Sequence, residues 1–129
     1  MEKNSDIQFR SPEEIKLYQE ARLTETLAYL QAHSRFYQQM FKEHSIDITR
    51  IKKIEDLQQI PVTTKTDLQL HNSEFICVDP DGIIDYVTTS GTLGDPVTFV
   101  LTSKDLDRLA YNEYLSFNTA GCSRHDILQ

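Results

Sequence analysis

The sequence predicts an α/β chain of the mixed α+β kind: a helical first half, then a β-hairpin, then a closing helix. Three observations carry this reading. Ser11-Pro12-Glu13-Glu14 is a strong helix start, with Ser at the cap, Pro at the first helical position and Glu three residues after the cap. The apolar, β-branched runs 83–87 and 97–101 read as strands, and the glycine-containing stretch between them reads as the turn of a hairpin. After the second run, Thr102 with Asp105 resembles a capping box, and apolar residues then recur at helical spacing.

The first helix is expected to run to about Ala32. Leu23, Leu27 and Leu30 share one face and Leu17, Ala21 and Ala28 another. Two apolar stripes predict packing on two sides, one of them waiting for protein that this chain does not supply. A second helix is expected from Ser34 or Arg35 to about Lys42. Asp47–Arg50 is a connector, followed by short helical turns at 54–58 and 65–70, the latter capped by Thr63 or Thr64. Asp79-Pro80-Asp81-Gly82 predicts a turn in which Pro sets φ and Gly supplies a positive φ. In the closing helix, 103 to about 120, Leu106, Leu109, Ala110, Tyr114 and Phe117 form a stripe expected to be core, and Gly121 ends the helix. Residues 125–129 begin like a further strand. By region, 1–70 is expected to be helical and 71–129 to hold the hairpin and its helix, the whole of 1–129 being one incomplete domain.

Most of the chemistry lies in Thr88-Thr89-Ser90-Gly91-Thr92-Leu93-Gly94-Asp95-Pro96. Four hydroxyl residues and two glycines fall within the seven positions 88–94. Glycines allow a tight turn, and backbone N–H groups and hydroxyls can then converge on one anionic group, which is the chemistry of phosphate holding. Its strand-to-strand setting differs from a Walker-type loop, which ends in Gly-Lys-Ser/Thr and enters a helix. The plain alternative is a polar hairpin turn, since such turns use Gly, Asp, Pro and Ser heavily.

Thr89-Ser90-Gly91-Thr92-x-Gly94-x-Pro96 resembles the phosphate-binding signature of the AMP-forming, acyl-adenylating superfamily. Residues 54–68, Ile-Glu-Asp-Leu-Gln-Gln-Ile-Pro-Val-Thr-Thr-Lys-Thr-Asp-Leu, are similar to a run found in its phenylacetate–CoA ligase branch. Ser34-Arg35-Phe36-Tyr37 and Thr102-Ser103-Lys104-Asp105-Leu106 resemble two further elements of that branch, in the right order. Two positions depart from the wider superfamily: Val97 stands where many members carry Lys, a trait the branch often shares, and Leu93 stands where a second Thr is usual.

The resemblance implies an N-terminal portion of the large domain of an adenylate-forming enzyme. The implied activity is that of an ATP-dependent, AMP-forming acyl–CoA ligase, joining a small carboxylic acid to CoA with release of AMP and pyrophosphate. It implies ATP with Mg²⁺, and CoA as co-substrate. Thr89, Ser90, Gly91, Thr92 and Gly94 are the implied phosphate-binding residues; no catalytic residue and no metal ligand is assigned within the chain, and 1–129 by itself is expected to be inactive. Adenine- and ribose-binding motifs, the acyl pocket and a catalytic lysine belong to other parts of such enzymes. A non-catalytic nucleotide-binding or oligomerisation module is the alternative.

Composition narrows the partners. The chain has 129 residues, 26% of them charged, and a formal net charge of −7. That balance argues against nucleic-acid or anionic-membrane surfaces, which need clustered Lys and Arg. There is no long apolar run and no signal-peptide core at Met1–Asp6, so a cytoplasmic location is expected. Cys77 and Cys122 then have little reason to pair and are expected as buried free thiols. His33, His44, His71 and His125 share no metal-ligand spacing. Lys65 is either a phosphate ligand or a solvated lysine in a first helical turn. The unfinished apolar surfaces predict a homo-oligomer.

Overall fold

The computed structural model describes residues 7–90, 95–123 and 125–127. Two compact units divide the chain, Met1–Cys77 and Val78–Gln129.

The first unit is helical. Helix α1, Pro12–His33, opens as its sequence dictates: the Glu14 N–H donates to Ser11 Oγ at 3.2 Å, and the Ser11 N–H donates back to Glu14 Oε2 at 3.0 Å. Helix α2, Arg35–Glu43, follows after a single residue, Ser34. It ends where Ser45 takes a left-handed φ of 52°, which lets the Ile46 N–H reach the Phe41 carbonyl at 2.8 Å. Short 3-10 segments at Ile48–Arg50 and Ile54–Gln59 lead to α3, Lys65–Leu70, which is capped by Thr64 with Asp67. A last 3-10 turn at Asn72–Phe75 closes the unit.

The core of this unit is small. Leu27, Phe41 and Ile51 are buried, with Leu23, Tyr37, Ile46, Ile48 and Ile60 packed around them. Thus the Leu23/Leu27/Leu30 face of α1 turns inward, while the second stripe stays open, with Leu17 at 67% exposure.

The second unit begins with a 3-10 turn at Pro80–Gly82. Its geometry corrects the expectation for Gly82: among the described residues the glycine with positive φ is Gly121, at 81°. Pro80 opens a right-handed turn, which ordinary φ values close without help from glycine. Strands β1, Asp85–Thr88, and β2, Thr98–Leu101, then pair antiparallel, with Asp85 opposite Leu101 and Thr88 opposite Thr98. The first strand starts later than its apolar run, although the Ile84 N–H still bonds the Leu101 carbonyl at 2.9 Å. Helix α4, Ser103–Thr119, carries the Thr102/Asp105 capping box and ends at Gly121, whose left-handed backbone lets the Cys122 N–H reach the Phe117 carbonyl.

Three further expectations need correction. No residue of α4 is buried among the described residues, so its apolar stripe is not core here. Periodicity shows that a helix has an apolar face, not what lies against it. Cys77 and Cys122 are free but only half-buried. Of the strand expected at 125–129, the described residues His125–Ile127 are not strand, the Ser123 N–H bonding Asp126 Oδ2 and the Asp126 N–H bonding the Ser123 carbonyl, while residues 128 and 129 lie outside the described residues.

The capping carboxylates tie stability to pH. The Ser11 amide holds the Glu14 carboxyl below its ordinary value of 4.5, while Thr64 at Asp67 and Thr102 at Asp105 hold those groups below 3.8, Thr64 through its hydroxyl first and Thr102 through its N–H first. A carboxyl depressed by folding stabilises above its unfolded pKa, and that contribution is lost as pH falls through the folded value. The urea midpoint is therefore expected to hold from neutrality to about pH 5 and to drop below the ordinary carboxylate range. Asp67→Asn and Asp105→Asn should flatten the drop, and an unchanged acid profile in the double variant would refute the assignment.

Candidate functional site

Of the glycine- and hydroxyl-rich stretch, Thr88 ends strand β1, and Thr89 and Ser90 follow it at the turn end of the β1–β2 hairpin. Beyond the last strand pair, Thr88 and Thr98, one more rung closes its base. The Thr89 N–H donates to the Val97 carbonyl at 3.0 Å, and the Val97 N–H donates to Thr89 Oγ1 at 3.0 Å. This second bond uses a lone pair of the threonine oxygen and leaves the hydroxyl proton for another acceptor. Thr89 and Ser90 are both exposed, whereas Val97 is only 2% exposed. Gly91, Thr92 and Gly94 lie outside the described residues, as does Leu93. Of the five expected phosphate-binding residues, Thr89 and Ser90 are therefore placed, adjacent and solvent-facing at the hairpin end. Such a pair can donate to an anion through neutral hydroxyls.

The other motif residues have structural work that the sequence did not reveal. Ser34 is fully buried. Its N–H satisfies the Leu30 carbonyl at the end of α1, and its Oγ accepts from the Tyr37 N–H at 3.3 Å at the start of α2. That hydroxyl also donates to the Glu74 carbonyl at 3.1 Å. Phe36 stacks on Phe75 with ring centroids 4.0 Å apart, and the Tyr37 hydroxyl meets Thr63 Oγ1 at 3.1 Å. The Ser-x-Phe-Tyr element thus fastens α2 to the segment after α3, forty residues away in sequence. Serine at the head of a helix is a legible cap, but its long-range partner is not. Lys65 stands exposed at the first position of α3.

A groove of about 330 Å³ also opens in the helical unit, beside Phe36, Met40 and Pro61. Its acidic side chains are already engaged in local structure: Asp67 caps α3, Glu74 Oε1 lies 3.0 Å from His71 Nδ1, and Glu43 accepts from the Gln39 amide. Nearby, burial pushes the Cys77 thiol above its ordinary value, which keeps it protonated and a poor nucleophile.

No protein-family model matches the chain. It is 32% identical over 110 residues to a phenylacetate-coenzyme A ligase of Thermus thermophilus, covering 84% of this chain and 25% of the relative. A phenylacetate-coenzyme A ligase of Escherichia coli is 29% identical over 122 residues, covering 93% of this chain and 28% of the relative. Among solved structures, 2-hydroxyisobutyryl-CoA ligase with its adenylate and CoA superposes with a TM-score of 0.76 at 25% identity, over 84% of this chain and 24% of that one. The same ligase in its postadenylation state gives a TM-score of 0.65 at 26% identity. The chain spans about a quarter of the length of the curated relatives it matches. Over that span the chain is similar in sequence to phenylacetate-coenzyme A ligases and in fold to an acyl-CoA ligase that binds an adenylate and CoA.

Proposed function

We propose that this chain supplies the phosphate-holding part of an ATP-dependent, AMP-forming acyl–CoA ligase acting in the cytoplasm. The observation that carries the reading is the hairpin end closed by Thr89 and Val97, which presents Thr89 and Ser90 to solvent. It occurs in a chain whose relatives are CoA ligases. On this reading the acid's carboxylate attacks the α-phosphorus of ATP, giving acyl-AMP and pyrophosphate, and the CoA thiol then displaces AMP to give the thioester.

In that scheme Thr89, Ser90, Gly91, Thr92 and Gly94 hold the β- and γ-phosphates. Their part is positioning and charge stabilisation, which dominate phosphoryl chemistry. The grip is made of hydroxyl and backbone donors, because no lysine stands within 88–97. Mg²⁺ belongs to this reading as the nucleotide's counter-ion.

Residues 1–129 alone are expected to bind ATP weakly and to form no thioester, because catalysis needs groups from several parts of the protein held together around the reacting atoms. Ser90→Ala should weaken ATP binding by about 1.5–3 kcal/mol, the value of a hydrogen bond to a charged group. Phosphorus NMR titration with ATP and Mg²⁺ measures the binding, and a CoA-thioester assay with aryl and aliphatic acids measures turnover. Equal binding by the wild-type chain and Ser90→Ala would remove Ser90 from the site. Thioester formation by 1–129 would show that the chain is catalytically sufficient.

A further inference from the structure

The groove in the helical unit combines an apolar lining with negative charge that nothing cancels. Phe36, Met40, Pro61 and Val62 line it, and Val62 is 84% exposed. Glu43, Asp67 and Glu74 line it too, and no Lys or Arg does. Each of the three carboxylates spends one oxygen on its local bonds. Glu43 Oε1 accepts from the Gln39 amide, Asp67 Oδ2 takes the Thr64 N–H and hydroxyl, both at 2.7 Å, and Glu74 Oε1 lies 3.0 Å from His71 Nδ1. The second oxygen takes no part in those bonds, and a carboxylate has room for about four. None of these partners is a lysine or an arginine, so no permanent cation offsets the three charges.

We infer that this groove is a binding site for a small organic ammonium ion, an aryl or alkyl body carrying one protonated amine. Its volume of about 330 Å³ is at the small-molecule end of the range for ligand pockets. A neutral apolar ligand would cover the lining and leave the carboxylates unused. A simple inorganic cation would meet the carboxylates and leave Phe36, Met40, Pro61 and Val62 in water. An ammonium ion on an apolar body answers both, its charge against the carboxylates and its hydrocarbon against the lining. The substrates of the ligase reading do not suit this groove. A carboxylate, ATP and CoA are anions, and each would meet three like charges. The inference therefore goes beyond the ligase reading and does not depend on it.

The test is an amide NMR titration of the 129-residue chain with phenethylammonium chloride near neutral pH. Shifts should concentrate in the amides of 36–44, Val62 and 67–74, which surround the groove. Phenethyl alcohol, similar in shape but uncharged, should bind about tenfold more weakly, and phenylacetate should move none of these amides. Glu43→Gln and Glu74→Gln should each weaken binding about threefold, the worth of one exposed ion pair. Glutamine keeps a carbonyl acceptor for Gln39 or His71, so the circular dichroism of both free variants should match the wild type. Absence of shifts in these amides, equal binding of phenethyl alcohol, or wild-type affinity in both variants would overturn the site. Equal binding of methylammonium would reduce the groove to a cloud of counter-ions and overturn it as well. None of these readouts involves thioester formation, so failure here leaves the ligase reading untouched, and failure of that reading leaves the groove standing.

Discussion

Replacing Gly91 or Gly94 by valine, in the whole enzyme that carries this stretch, is expected to slow adenylate formation on the order of a hundredfold, the scale seen when one preorganised donor to a developing charge is lost. Glycine is the residue that allows both a positive φ and close approach of backbone to a phosphate, and a β-branched side chain opposes both. The rest of the fold should be little affected. The hairpin is paired from Asp85 to Thr88 and closed by the Thr89–Val97 rung, all outside the two glycines. ATP–pyrophosphate exchange reads the effect, with the urea midpoint as the control for folding. If both variants exchange at the wild-type rate, the loop has no part in the reaction. If exchange falls only in proportion to lost folded protein, the glycines are needed for the turn and not for the phosphate.

The largest effect on stability is expected at Phe41. Its ring is buried beside Leu27 and Ile51, and Tyr37, one turn earlier, lies 5.9 Å from it between ring centroids. Removing a buried phenyl ring costs about 3–5 kcal/mol. A domain of this size with so short a list of buried residues commands about 3–5 kcal/mol in all. Phe41→Ala should therefore leave the helical unit largely unfolded at 25 °C, visible as a loss of helical circular dichroism without denaturant. Leu17→Ala on the same helical unit should change the midpoint little, because Leu17 is 67% exposed. A cooperative, wild-type-like melt for Phe41→Ala would mean that the core is elsewhere.

The sequence was most readable where the determining groups are three residues apart. Ser11 with Glu14 and Thr102 with Asp105 both start helices, because a capping box is a local circuit that needs nothing distant, and the cap of α3, left open between Thr63 and Thr64, falls to Thr64 with Asp67. The hairpin was readable for a similar reason: two β-branched runs with a turn-rich stretch between them have an obvious way to pair. Reading failed where the answer depends on what lies far along the chain. Ser34 is buried because the Glu74 carbonyl comes to meet it, and no spacing near Ser34 announces that. The stripe on α4 has the period of a core helix, but period is blind to cover. Pro80-Asp81-Gly82 misled in a different way, since the same residues satisfy a 3-10 turn with no unusual φ. In the candidate site, the string 89–96 suggested phosphate chemistry from its hydroxyls and glycines. The bond from the Val97 N–H to the Thr89 hydroxyl was not legible, because it crosses the hairpin.

That crossing has a consequence for how the loop meets its ionic surroundings. Val97 is sealed from water where many members of the wider superfamily place a lysine, and its N–H is spent on Thr89. A phosphate held at this hairpin end would be met by fixed dipoles a few ångströms away, without a long cationic side chain reaching through solvent. Dissolved ions screen a charge–charge attraction strongly over the roughly 8 Å Debye length of physiological salt, but they hardly weaken hydrogen bonds at contact distance. If the loop holds a nucleotide as proposed, its affinity should fall less with rising potassium chloride than that of a lysine-bearing loop, which nucleotide titration at low and high salt would measure.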